Sequence, residues 1–133
     1  MKSFSIIGAG KVGTSLGLAL ASKGFKLKYI SDCNPDARRQ ARRVIKKGQT
    51  TEDNRLAAQT AEISFICVPD GSIRNVVKEL SDLDLDGHFV FHTSGAVSSR
   101  VLHPLARQGA HVASFHPVQT VATTRPDPDI FRG

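Results

Sequence analysis

A glycine-spaced turn between a strand pattern and a helix pattern constrains this chain more than any other feature. Phe4-Ser5-Ile6-Ile7 runs into Gly8-Ala9-Gly10-Lys11-Val12-Gly13, and Thr14-Ser15-Leu16-Gly17-Leu18-Ala19-Leu20 continues with helical character. In this G-x-G-x-x-G setting each glycine has its own task. Gly8 permits a tight turn out of the strand, Gly10 lets bare backbone approach a pyrophosphate, and Gly13 lets the helix pack closely on the sheet. The free N–H groups at the helix start then face the phosphates. Asp32 closes the next apolar run, nineteen residues beyond Gly13, where a carboxylate accepts hydrogen bonds from an adenosine ribose. The pattern predicts a dinucleotide held by Gly8, Ala9, Gly10, Lys11, Val12, Gly13 and Asp32. The rival phosphate loop, G-x-x-x-x-G-K-[ST], needs lysine after the last glycine, where this chain has Thr14.

With 133 residues, 40% of them apolar and 23% charged, the chain fits one globular domain with a sizeable core. It has no run long enough to span a membrane, and its first residues lack a signal peptide's basic start and apolar stretch, so a cytoplasmic location is expected. Cys33 and Cys67 have no zinc-type spacing and read as reduced thiols, Cys67 in the core. The net charge of +6 concentrates in Arg38, Arg39, Arg42, Arg43, Lys46 and Lys47, two adjacent stripes of one helix. That face reads first as solvated surface. Its position just after Asp32 would also suit an arginine grip on a 2′-phosphate. Nucleic-acid binding is disfavoured, because no basic-aromatic interleaving is present.

Apolar runs alternate with helical segments, which predicts an α/β, doubly wound, mainly parallel sheet with helices on both faces. Strands are expected near 3–7, 26–31, 62–68, 87–92 and 110–115, and helices near 12–23, 35–47, 52–58, 72–80 and 97–107. Gln49-Thr50-Thr51 allows a further short strand, against its polarity. Ligand chemistry in such a fold lies beyond the carboxyl ends of the strands. Three segments reach that edge. Val68-Pro69-Asp70 forms a strand-to-helix turn with Asp70 as a cap, suited to flank the nicotinamide half of a cofactor. His92-Thr93-Ser94-Gly95-Ala96 offers an imidazole, hydroxyls and a small residue. His116-Pro117-Val118-Gln119-Thr120 offers a second imidazole whose backbone Pro117 keeps extended. A metal shared by His88, His92 and His116 is discounted, since His88 and His92 lie roughly 13 Å apart along a strand.

Taken together, Ile7 to Gly13, Val68-Pro69-Asp70, His92-Thr93-Ser94-Gly95-Ala96 and His116-Pro117-Val118-Gln119-Thr120 resemble a family of two-domain oxidoreductases. In these proteins a Rossmann-like NAD(P)-binding domain precedes a helical domain of unknown function. More distantly the chain is similar to pyrroline-5-carboxylate reductase and deazaflavin-dependent NADP reductases. The resemblance implies a Rossmann-like domain over 1–121 and an exposed linker over 122–133, toward a helical domain that this chain lacks, as a fragment or as a natural short form. It implies an oxidoreductase that uses NAD or NADP on a small-molecule substrate, with a homodimer as one assembly. Relatives commonly carry a basic residue where Asp32 stands, so Asp32 argues for NAD, while Arg38 and Arg39 keep NADP open.

The first functional expectation is hydride transfer between the nicotinamide and a small carbonyl or imine compound, with His92 or His116 donating a proton and Ser94 orienting the substrate. The second is a dinucleotide-binding sensor or partner-docking module without turnover.

Overall fold

The structure, a computed structural model, describes residues 2–115. Six strands form one sheet: β1 (Ser3–Ile7), β2 (Lys26–Ser31), β3 (Gln49–Thr51), β4 (Ile63–Ile66), β5 (Phe89–His92) and β6 (His111–Ser114). Their order is β3-β2-β1-β4-β5-β6, and every neighbouring pair is parallel. The strand sequence reverses direction between β1 and β4, which opens a crevice at the carboxyl ends of the central strands. Gln49-Thr50-Thr51 is a true strand despite its polarity: it forms the edge of the sheet, where one side of the ladder meets solvent.

The helices are α1 (Lys11–Ser22), α2 (Pro35–Ile45), α3 (Asn54–Thr60), α4 (Ile73–Leu80) and α5 (His103–Ala106). The side-chain oxygen of Asn34 accepts from the Asp36 N–H and Pro35 opens α2, as the sequence predicts. That helix ends at Ile45 rather than residue 47 because Lys46 turns left-handed, with φ of 60°. Asp53 accepts from the N–H groups of Arg55 and Leu56, so α3 begins at Asn54, later than expected. The predicted helix over 97–107 is broken into a 3-10 turn, Ser99–Leu102, and the single α turn of α5. Ser98 caps that 3-10 turn through Arg100 N–H, and Pro104 has no N–H to continue an α ladder back toward it.

The core lies on both sides of the sheet. Period-2 alternation sends Phe4 and Ile6 of β1 to one side, against Leu16, Ala41 and Ile45 of α1 and α2. Ile7, Ile66 and Val90 belong to the other side, with Ile73, Val77 and Leu80 from α4 and Leu102 and Leu105 from the following turns. Within α4 the buried residues Ile73, Val76, Val77 and Leu80 fall at helical spacing, so one stripe anchors the helix below the crevice. Among the described residues no helix is long and apolar enough to cross a membrane.

Candidate functional site

The end of β1 is tied to both of its neighbours. Gly8 donates its N–H to the Ser31 carbonyl at 2.7 Å, and Cys67 donates to the Ile7 carbonyl at 2.7 Å. The turn out of the strand requires φ of +109° at Gly8, and a Cβ there would lie 2.5 Å from the Cys67 carbonyl oxygen. A Cβ on Gly13 would lie 1.9 Å from the Gly8 carbonyl oxygen. Both residues are glycine because the fold leaves no room. Gly10 differs: its φ is an ordinary −76°, and a Cβ added there meets no atom of the described residues within 4 Å. Packing among the described residues does not explain this glycine.

Gly10 is also the N-cap of α1 and brings no side-chain cap. The first bond of the helix runs from Thr14 N–H to the Gly10 carbonyl at 2.9 Å, and the N–H groups of Lys11, Val12 and Gly13 precede it. These donors and the helix dipole favour an anion at this point. The Thr14 hydroxyl donates to the Ala9 carbonyl at 3.1 Å and holds the loop from behind.

Asp32 sits at the end of β2. Its Oδ2 accepts from Ala9 N–H at 2.9 Å and its Oδ1 from Asn34 N–H at 2.9 Å. The carboxylate is thereby fixed against the glycine loop, and each oxygen retains a lone pair for a further donor. Gly8, Gly10 and Asp32 share a cleft of about 630 Å3 with Val68 and Pro69 after β4, and with Val76 on α4. Apolar walls with a few fixed polar groups suit a flat base attached to a sugar. Six further polar lining residues escaped the sequence reading: Ser31, Glu52, Asn54, Ser72, Asn75 and Glu79. Ser31 donates to Asn54 Oδ1 at 2.7 Å, and the Asn54 amide donates to Glu79 at 3.3 Å, so the polar wall is internally held. The signal was the edge strand β3, which brings Glu52 and Asn54 to the crevice.

The other predicted residues are placed as follows. Lys11 is exposed and borders a smaller recess between α1 and α2, while Val12 is half-buried outside the cleft. Asp70 is exposed and absent from the cleft lining. It does not cap α4 with its side chain; a 3-10 turn, Asp70–Ser72, intervenes, so the expected direct cap is corrected. His92 is fully buried. Its Nδ1 accepts from Ser94 N–H at 3.1 Å, which leaves Nε2 to donate to the Ser98 carbonyl at 3.2 Å. Ser94 is buried too, and its hydroxyl oxygen accepts from the N–H groups of Ala96 and Val97. The structure thus brings His92 and Ser94 together, but as the internal frame of the loop after β5 and away from the cleft lining. His116 and the segment 122–133 lie outside the described residues.

The two thiols diverge. Both line the cleft, Cys33 exposed and Cys67 half-buried, and desolvation pushes the Cys67 thiol up to about 12, with a Thr93 contact opposing the shift. Of the two arginines proposed for a 2′-phosphate, Arg38 stays beside Asp32 and Arg39 is engaged elsewhere. Arg38 donates to the Asp32 backbone carbonyl at 2.7 Å, and Arg39 pairs with Asp36. Among the described residues no group of three His, Cys, Asp or Glu side chains is placed to hold a metal.

A parallel sheet in the order 3-2-1-4-5-6, with a glycine turn between β1 and α1, defines a class that sequence comparison confirms. The model of the Rossmann-like domain family matches residues 2–117, and the chain belongs to that family. No curated protein matches it in sequence. Among solved structures it is similar to a pyrroline-5-carboxylate reductase from Coxiella burnetii, at TM-score 0.78 and 18% identity over 90-odd per cent of this chain (91%) and 46% of that one. It is similar to prephenate dehydrogenase from A. aeolicus in complex with hydroxyphenyl propionate and NAD+, at 0.73 and 20% identity over 99% of this chain and 54% of that one. It is also similar to an imine reductase variant from Myxococcus stipitatus in complex with NAD+, at 0.73 and 18% identity over 91% and 41%. The chain spans about half the length of the solved structures it matches.

Proposed function

We propose that this domain binds NAD(P) in the cleft at the ends of β1, β2 and β4, as the cofactor domain of an oxidoreductase. The single observation that carries this reading is the cradle at Gly10, a glycine that no contact among the described residues requires, at the open start of α1 and beside the fixed Asp32 carboxylate. The N–H groups of the first turn of α1 would hold the pyrophosphate, Asp32 the adenosine ribose, and Val68 and Pro69 the ring faces. When bound, the cofactor supplies a hydride from its nicotinamide to the electrophilic carbon of a small carbonyl or imine, whose oxygen or nitrogen takes a proton and closes the balance. The ring nitrogens of His92 are already engaged, so the reading gives proton delivery to His116 and leaves His92 and Ser94 as positioning residues. The substrate is a small molecule, and the setting a cytoplasm that keeps Cys33 and Cys67 reduced.

Thermal shift with NAD+, NADH, NADP+ and NADPH tests the reading. Stabilisation by about 2.7 kcal/mol is expected at a hundred times Kd, and no shift with any of the four would sink it. The second reading, a dinucleotide-binding sensor or docking module, is favoured by Phe89 and Phe115, which remain 39% and 37% exposed. Dimerisation through that aromatic face, followed by sedimentation of wild type and Phe89→Ser, would separate a homodimer from a docking face awaiting another partner.

A further inference from the structure

We infer that Glu52 is a specificity-determining residue: it places a second negative charge beside Asp32, and the pair selects NAD over NADP. The inference rests on the cofactor reading above and goes beyond it by naming which dinucleotide the cleft takes and which side chain decides.

The sheet itself brings the two carboxylates together. Asp32 follows β2 directly, Glu52 follows β3 directly, and β2 pairs with β3 in parallel through Ser31 opposite Thr51. Asp32 N–H donates to the Thr51 carbonyl at 3.1 Å, which carries the pairing one step past the strand ends and sets Glu52 beside Asp32 at the mouth of the cleft. Both line the cleft, as does Glu79, and among the described residues no lysine or arginine does. Arg38 and Arg39, the nearest cations in sequence, are held by the Asp32 carbonyl and by Asp36. A ribose that reaches the Asp32 carboxylate would set its 2′ position between Asp32 and the β3 end. A hydroxyl there finds acceptors. A 2′-phosphate, carrying about −1.5 to −2 charges near neutral pH, meets two carboxylates against one nearby cation, the Arg38 guanidinium held at the Asp32 carbonyl, so the local charge stays unfavourable to it.

Glu52 isolates this electrostatic effect better than Asp32 does. Both Asp32 oxygens take N–H bonds that shape the glycine loop and the start of α2, so an Asp32 variant changes geometry and charge together. Glu52 is exposed and forms no hydrogen bond or ion pair among the described residues, so Glu52→Gln removes charge while leaving the fold's contacts alone.

Titration calorimetry of the full chain with NAD+ and NADP+ decides the matter, for wild type and for Glu52→Gln, at low and at high salt. Wild type is expected to favour NAD+. In Glu52→Gln the ratio of NADP+ to NAD+ affinity should rise about five- to tenfold at low salt, and the gain should shrink at high ionic strength as screening replaces the substitution. A ratio that does not move in Glu52→Gln, or that moves equally at both salt concentrations, would overturn the inference while leaving the cofactor reading intact. Wild type that binds the two dinucleotides equally would do the same. Wild type that binds neither would overturn the reading itself, and this inference with it.

Discussion

Two strand ends that carry polar residues, β2 with the glycine loop and β5 with His92 and Ser94, use the same kinds of group in opposite ways. At the loop after β5, each imidazole nitrogen and the serine oxygen has a partner inside the loop. At the β1 and β2 ends, Gly10 opens onto empty space, the first N–H groups of α1 precede the helix ladder, and Asp32 keeps lone pairs in hand. A polar residue at a strand end marks a binding site only when some of its bonding capacity is left over. By that measure the glycine loop and Asp32 are the proposed site, and the His92 loop its proposed scaffold.

The contrast predicts a graded series of effects. The largest belongs to Gly13→Ala. Its methyl would collide with backbone at the Gly8 carbonyl, so a loss of about 3 kcal/mol or more in urea unfolding is expected. Near-normal stability would show that the loop can yield, and would remove the distinction between Gly13 and Gly10. His92→Ala comes next, at about 2–4 kcal/mol, through a cavity and two lost hydrogen bonds. Dinucleotide affinity, measured where the variant is fully folded, should move little; a loss of binding as large as that of Gly10→Ala would place His92 in the site after all.

Gly10→Ala sharpens the comparison from the other side. Stability should stay within about 0.5 kcal/mol of wild type, because the backbone angle is ordinary and the methyl touches nothing, while dinucleotide affinity should fall about tenfold or more. Unchanged affinity would leave the glycine without a purpose. The smallest effect concerns thiol labelling near pH 8. Cys33 should react readily and be protected by dinucleotide, whereas Cys67, held almost wholly in its neutral thiol form by a value pushed up to about 12, should react far more slowly. Equal rates for the two would contradict the desolvation of the Cys67 thiol.

Much of this was legible in the sequence because it depends on local rules. Strand and helix periods gave the α/β order, and the Asn34-Pro35 cap set the start of α2 correctly. The sequence pattern assigns the tight turn to Gly8 and the close packing to Gly13, as the structure has them, whereas the backbone that crowds Gly8 is that of Cys67, a residue far along the chain. The edge strand β3 is short and polar, so its contribution of Glu52 and Asn54 to the cleft follows only from its pairing with β2. The breakdown of the helix after residue 97 turns on Pro104 and the Ser98 cap, whose effects the apolar pattern of Val101, Leu102 and Leu105 concealed. The status of His92 depends on loop contacts two and six residues away, which no strand-end rule specifies.

The most direct measurement is amide chemical-shift mapping of the 15N-labelled chain during an NAD+ titration. The account predicts the largest changes at Gly8 to Thr14, with a second group at Asp32 and Cys33, and smaller ones at His92 and Ser94. Changes centred on the loop after β5, or none at saturating NAD+, would contradict it.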